Sequence, residues 1–224
     1  IDLSGSSVFQ NVQAGNGDDT ITGGAGGEWL NAGSGADSSF GGAGNDTLTG
    51  DSGNDTLTGG AGDDSLRGGT DDDPMRTSAG ADTLVGEGGD DTFSVLNGFG
   101  NGTAIDGSNV SQTAGDTLDL SATTTGVTVD LTAANSENGN FSVGTSTATF
   151  VEIENIILGG GRDTIELADG SGADIVRSFD MTDSGDGTTN DQLDVSGLTS
   201  DGGTTPVTTA NVTVTDTNGD GSGD

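Results

Sequence analysis

A nine-residue period is the strongest constraint on this chain. Residues 41–67 read GGAGNDTLT, GDSGNDTLT and GGAGDDSLR, three nonapeptides laid end to end. Extending the register both ways gives nine units, from AGNGDDTIT beginning at Ala14 through GGAGGEWLN, AGSGADSSF, the three above, GGTDDDPMR and TSAGADTLV to GEGGDDTFS ending at Ser94. The sixth position is acidic in every unit: Asp19, Glu28, Asp37, Asp46, Asp55, Asp64, Asp73, Asp82 and Asp91. The eighth is apolar in all but one: Ile21, Leu30, Leu48, Leu57, Leu66, Met75, Leu84 and Phe93, with Ser39 the exception. Glycine dominates positions one, two and four, where a sharp turn or a close backbone approach excludes a side chain. Each unit therefore predicts a glycine-rich turn followed by a very short strand whose middle residue points inward while the seventh and ninth face out.

Composition sharpens this reading. With 44 glycines and 28% hydrophobic residues, the chain has too little apolar matter for one ordinary core. A formal charge of −33, from 37 acids and four arginines, would by itself suggest disorder. Disorder does not require an aliphatic residue every ninth position, so the periodicity argues for an ordered chain held together by something other than a core. Four scattered arginines cannot neutralise a phosphate backbone, so nucleic acid is excluded as a partner and divalent cations are the natural counter-ion. There is no cysteine, hence no disulfide and no thiol chemistry. The longest aliphatic run, Ile156 to Leu158, falls far short of the roughly 20 residues that span a bilayer, so no membrane insertion is expected. Ile1 reads as a cut made inside a larger polypeptide.

The nonapeptide resembles that of the repeats-in-toxin (RTX) family, a known repeat signature. The resemblance implies an all-β fold, a right-handed parallel β-roll or β-solenoid with calcium in its turns, in which 18 residues make one coil. It also implies that each ion sits between turns two units apart. The carboxylates sharing an ion would then be Asp19 with Asp37, Glu28 with Asp46, Asp37 with Asp55, Asp46 with Asp64, Asp55 with Asp73, Asp64 with Asp82, and Asp73 with Asp91, at most seven sites in the array. Carbonyls of turn glycines such as Gly42, Gly44, Gly60 and Gly62 would complete the shells. Calcium takes six to eight hard oxygens, which two carboxylates and two glycine turns can supply. Seven ions would bring −33 to −19 and relieve self-repulsion, so calcium binding is expected to be coupled to folding. Departures weaken particular sites: Glu28 is a longer ligand, GGTDDDPMR lacks the fourth glycine and TSAGADTLV lacks the first two.

The chain divides into a first rung at 1–13, the array at 14–94, and a β-rich extension at 95–224 read as a longer-runged solenoid that caps the array. Alternation there marks strands around Leu118 and Leu120; Val127, Val129 and Leu131; Val151 and Ile153; Ile165; Ile175; Leu193 and Val195; and Val212 and Val214. Two fragments echo the array, LGGGRDTIE at 158–166 and DGSGADIVR at 169–177, placing Asp163 and Asp174 in the ligand position. DTNGDGSGD at 216–224 matches the start of an EF-hand-like calcium loop, with Asp216, Asn218 and Asp220 at positions one, three and five; DSGDGTTND at 183–191 is a poorer relative.

Outward threonines raise an ice-binding alternative. Each predicted face is broken, one by Phe40, Pro74 and Arg76, the other by Trp29 and Arg67, so this reading is disfavoured. Trp29 and Phe40, apolar at predicted surface positions, read either as contacts to a neighbouring domain or another subunit or, more simply, as a local register slip that turns Phe40 inward in place of Ser39. Without His, Cys, Lys or Tyr, the common nucleophile triads, histidine zinc sites and Schiff bases are unavailable, and an enzyme is not expected. The functional expectation is an extracellular calcium-binding module that folds on meeting calcium and supports secretion of a larger protein. The rivals are a subunit of a calcium-dependent surface layer, fibre or adhesin, with self-association, and the non-catalytic tail of a secreted hydrolase.

Overall fold

The computed structural model describes residues 1–108, 110–131 and 138–168, together with two further strands, Ile175–Arg177 and Gln192–Gly197. All regular structure among these residues is β. Through the array the strands are β1 (Asn11–Asn16), β2 (Thr20–Thr22), β3 (Trp29–Ser34), β4 (Ser38–Ala43), β5 (Thr47–Ser52), β6 (Thr56–Ala61), β7 (Ser65–Thr70), β8 (Pro74–Arg76), β9 (Thr83–Gly88) and β10 (Thr92–Ser94). Beyond it come β11 (Thr103–Asp106), β12 (Thr117–Asp119), β13 (Val127–Leu131), β14 (Gly139–Val143), β15 (Ser146–Val151), β16 (Asn155–Ile157), β17 (Thr164–Ala168), β18 (Ile175–Arg177) and β19 (Gln192–Gly197).

Strands β1 to β12 alternate between two sheets, ordered β1-β3-β5-β7-β9-β11-β15-β14-β13-β17-β19 and β18-β16-β12-β10-β8-β6-β4-β2, and the alternation is interrupted where β13, β14 and β15 share the first. Within the array every pairing is parallel and offset by 18 residues, so like positions stack: Leu30 on Leu48, Leu66 and Leu84 in one sheet, Ile21 on Ser39, Leu57 and Met75 in the other. This is a parallel β-solenoid of the roll type. All eight apolar residues of the eighth position are buried, and they form one continuous core between the sheets.

The strands are longer than a three-residue reading allows. Six-residue strands such as β5 and β6 run on through positions one to three of the next unit, because the turn backbone also pairs with the coils above and below, as in Gly33 with Asp51 and Gly69 with Glu87. Within these strands the buried residues are the eighth of one unit and the first of the next, and the sixth-position acid of the turn is buried beside them.

The expected slip at Phe40 does not occur. Ser39 is buried at 3% exposure and Phe40 stands outside at 43%, paired with Thr22 and Thr58. A one-residue shift would move every neighbour to the wrong face, and turns stacked on both sides forbid it. The Ser39 hydroxyl is left buried without a hydrogen-bond partner. Leucine at this position, in a slot flanked by Ile21 and Leu57, is expected to stabilise the calcium-loaded chain by about 1–3 kcal/mol. Thermal unfolding measures this, and an unchanged or lower midpoint would contradict it.

Outward rows are mixed, with Thr22, Phe40, Thr58 and Arg76 on one sheet and Asn31, Thr49, Arg67 and Val85 on the other, so no flat threonine face exists there.

Past the array the coils lengthen. Leu84 stacks on Ile105 and Ile105 on Phe150, while Phe93 stacks on Leu118 and Leu118 on Ile156. The continuation is not purely parallel: β14 lies antiparallel to both β13 and β15. A two-residue loop, Gly144-Thr145, with Gly144 at φ 62°, makes the β14–β15 hairpin, and this short connection is a signal that strand alternation alone passed over. Phe141 brings its ring 5.4 Å from Phe99 and 6.4 Å from Phe150, filling the wider coil. The strand expected over Val151 and Ile153 is instead divided. β15 ends at Val151, Glu152 takes φ 56°, and the chain crosses to the other sheet before Asn155. The expectations at Val212, Val214, Asp174, Asp216, Asn218, Asp220 and 183–191 lie outside the described residues.

Candidate metal centre

The turns carry the chemistry because stacking puts a carboxylate beside a carboxylate. On one edge the backbone N–H of Asp19 donates to Asp37 Oδ1 (2.6 Å), that of Asp37 to Asp55 (2.8 Å), that of Asp55 to Asp73 (2.7 Å) and that of Asp73 to Asp91 (2.8 Å). The other edge repeats this with Glu28 to Asp46 (2.6 Å), Asp46 to Asp64 (2.9 Å) and Asp64 to Asp82 (3.1 Å). Asp37, Asp46, Asp55, Asp64, Asp73, Asp82 and Asp91 thus each latch the coil before with one oxygen, whereas Glu28 accepts the Gly24 N–H of its own turn (3.0 Å). All seven sequence-derived pairs are neighbours in this sense.

The second oxygen is different. Glu28 Oε1 and the Oδ2 atoms of Asp37, Asp46, Asp55, Asp64, Asp73 and Asp91 are buried without any hydrogen-bond donor. Native structures pair buried charges, and these seven atoms are left uncompensated by protein groups. Arg67 does not help, since it forms a surface pair with Glu87 (2.8 Å).

Their surroundings are built from glycine. A Cβ added to Gly50 would lie 2.3 Å from Asp55 Oδ2 and 2.7 Å from the Gly68 carbonyl oxygen; one on Gly68 would lie 2.3 Å from Asp73 Oδ2 and 2.9 Å from the Gly86 oxygen. The first-position glycine therefore leaves room beside Oδ2, a feature the sequence reading did not single out. Gly42, Gly44, Gly60 and Gly62, named there as carbonyl donors, stand in close stacking contact. At Gly60, with φ 113°, a Cβ would sit 2.0 Å from the Gly42 oxygen, and at Gly62 it would sit 2.0 Å from the Gly44 oxygen.

Electrostatics follow from burial. Desolvation, with neighbouring carboxylates adding to it and the latching N–H opposing it, pushes Asp46, Asp55 and Asp91 up to about 6, Asp64 up to about 7 and Asp73 up to about 8. Asp82 is also raised by burial, yet its site is unlike the others. Thr77 replaces the first glycine, and Asp82 Oδ2 accepts the N–H of Ser78 (3.1 Å), so both carboxylate oxygens have N–H partners. Asp163 stands in the equivalent slot of a later coil, where its Oδ1 accepts from Val127 N–H (2.8 Å).

This donor set fits a hard divalent cation: anionic oxygens in excess, carbonyls close by, no nitrogen or sulfur ligand. Among the described residues no three acidic side chains converge on one point, so an ion held here would draw on one or two carboxylates and on backbone carbonyls.

The family model described as RTX calcium-binding nonapeptide repeat (4 copies) matches residues 5–39, 40–73 and 67–101. No curated protein matches the chain.

Proposed function

Because residues 5–101 are RTX calcium-binding nonapeptide repeats, which bind calcium in a β-roll, we propose that this chain is a folding switch of a larger extracellular protein, ordered by the calcium it meets outside the cell. The observation that carries the reading is the column of buried carboxylate oxygens without donors. Asp19, Glu28, Asp37, Asp46, Asp55, Asp64, Asp73 and Asp91 would hold the ions, with first-position glycines leaving the room. Calcium supplies the positive charge and the multiple oxygen ligation that join one turn to the next. The protein's own part is positional: from Asp37 onward the Oδ1 of these aspartates fixes the coil spacing through a backbone N–H, and Oδ2 is thereby held facing the seat.

Without cations the same arrangement is self-defeating. Adjacent desolvated carboxylates repel, and the apolar core is only about one large side chain per nine residues. In the low calcium of a cytoplasm the array stays unfolded and passes outward as a chain; outside, ligation drives folding. A site at a hundredfold excess of ion over its Kd adds about 2.7 kcal/mol, so several sites acting together outweigh that repulsion. The reading assigns no catalysis to these residues.

A calcium titration followed by far-ultraviolet circular dichroism tests it, with magnesium as control and chelator added last. The expected result is a cooperative rise in β signal with calcium alone, reversed by chelation. A β signal already complete in chelator would overturn the switch.

A further inference from the structure

The match to the repeat family stops at residue 101, but the geometry of the seats does not. The sequence GSNVSQTAGDTLD at 107–119 is a nonapeptide with four extra residues, and its described residues, 107–108 and 110–119, lie in the next coil. Thr117, Leu118 and Asp119 pair with Thr92, Phe93 and Ser94, the seventh, eighth and ninth positions of the last unit. Asp116 therefore falls in the sixth slot, and its Oδ1 accepts the Asp91 N–H (2.7 Å), as each latch in the array does. Gly107 takes the first slot: a Cβ added to it would lie 2.3 Å from Asp116 Oδ2, and its own carbonyl oxygen would lie 2.8 Å from a Cβ on Gly86.

A second row confirms the alignment. In the array a fifth-position side chain accepts a backbone N–H from the fifth position of the next coil, as Asp18 does from Ala36 (3.0 Å), Asp63 from Ala81 (2.9 Å) and Asp72 from Asp90 (2.9 Å). Asp90 continues the row by accepting the N–H groups of Thr113 (2.7 Å), Ala114 (2.9 Å) and Gly115 (3.0 Å). These bonds, with the Thr113 hydroxyl first among them, hold Asp90 below the usual carboxylate range and pin the segment that carries Asp116.

One atom in this coil asks for a ligand. Asp91 is 1% exposed and its Oδ2 has no donor; it faces Gly86, beside the Gly107 carbonyl. Resting on the calcium reading of the array, we propose that a further divalent-cation seat lies between the turns of Asp91 and Asp116, walled by Asp91 Oδ2, the Gly107 carbonyl and the Asp116 carboxylate. The column closes there. Gln112 donates its amide both to Asp116 Oδ2 and, from the same nitrogen, to the Ser108 carbonyl, so a neutral side chain occupies the position that would open the following seat toward Glu154.

The test counts calcium bound at saturation by the full chain and by Asp116→Asn. Asparagine keeps an oxygen for the Asp91 N–H, so the latch survives while the charge is lost. One ion fewer than the parent supports the seat. Equal counts overturn it while leaving the array's calcium binding intact, and a parent that binds no calcium overturns the array reading as well. Should the variant fail to fold, parent crystals grown with calcium decide by anomalous difference density. A peak bounded by Asp91, Gly107 and Asp116 supports the seat, and density confined to the turns before it overturns the seat.

Discussion

Asp55→Asn is expected to have opposite effects with and without calcium. With calcium, the variant should need at least tenfold more ion at its folding midpoint, because Asp55 belongs to two adjacent pairs, with Asp37 and with Asp73; tenfold corresponds to about 1.4 kcal/mol. Without calcium it should fold more readily than the parent. Asp55 is fully buried, and desolvation together with the nearby Asp37, Asp51 and Asp71 carboxylates pushes it up to about 6, so its charge opposes the metal-free fold at neutral pH. Asparagine removes that charge, keeps an acceptor for the Asp37 N–H, and turns an amide donor toward the seat where the Gly68 carbonyl lies. The metal-free comparison is the amount of trimethylamine oxide needed to induce the β signal in calcium-free buffer, since that osmolyte strengthens burial without supplying a cation. A control is Asp51→Asn, at an exposed site with φ 76°, a conformation asparagine tolerates. It should shift either measurement by no more than about 0.5 kcal/mol. If Asp55→Asn weakens the fold equally in both buffers, the residue is an ordinary packing element and not a ligand.

Acidification should have the second large effect, and its sign is unusual for carboxylates. An aspartate that is salt-bridged on folding has a lowered pKa and loses its stabilising role as the pH falls. Here the folded values of Asp46, Asp55, Asp64, Asp73 and Asp91 lie at about 6 to 8, above the ordinary 3.8. The metal-free fold consequently binds more protons than the unfolded chain between about pH 4 and pH 8, and its stability rises as the pH falls through that window. In buffer stripped of calcium by resin, the β signal at pH 5 should exceed that at pH 7.5. Calcium affinity should move the other way, because protons and ions compete for the same oxygens. Adding salt at pH 7.5 separates this from general repulsion at −33, since screening relieves exposed charges far more than buried ones. Loss of β signal on acidification, or full recovery with salt alone, would contradict the assignment of the effect to the buried column.

The sequence by itself determined the part of the molecule that repeats. A period of nine, with an acid at the sixth position of every unit and an apolar residue at the eighth of all but one, leaves few options: the apolar positions must share an interior and the acids must line the turns, because a stacked coil places identical positions next to each other. The inward column was therefore legible before any coordinates, and the parallel sheets and the seven acidic neighbours followed from the nonapeptide's resemblance to the repeat family, which supplies the 18-residue coil. Ser39 and Phe40 show the limit of local reading. Hydrophobicity favoured turning Phe40 inward, but the backbone pairing of Gly42 with Gly60 and the latches on either side hold the register against one side chain's preference.

What tertiary structure alone decided lies where the period breaks. The run from Val95 to Gly115 breaks the count, so although Asp116-Thr117-Leu118 repeats the Asp-Thr-Leu of the array, its return to the sixth slot is fixed by the turn beneath it and not by a count of residues. The antiparallel strand β14, the crossing at Glu152 and the closing amide of Gln112 are likewise choices made by what each segment stacks upon. A nonapeptide states its own position in the coil; an irregular coil receives its position from its neighbours.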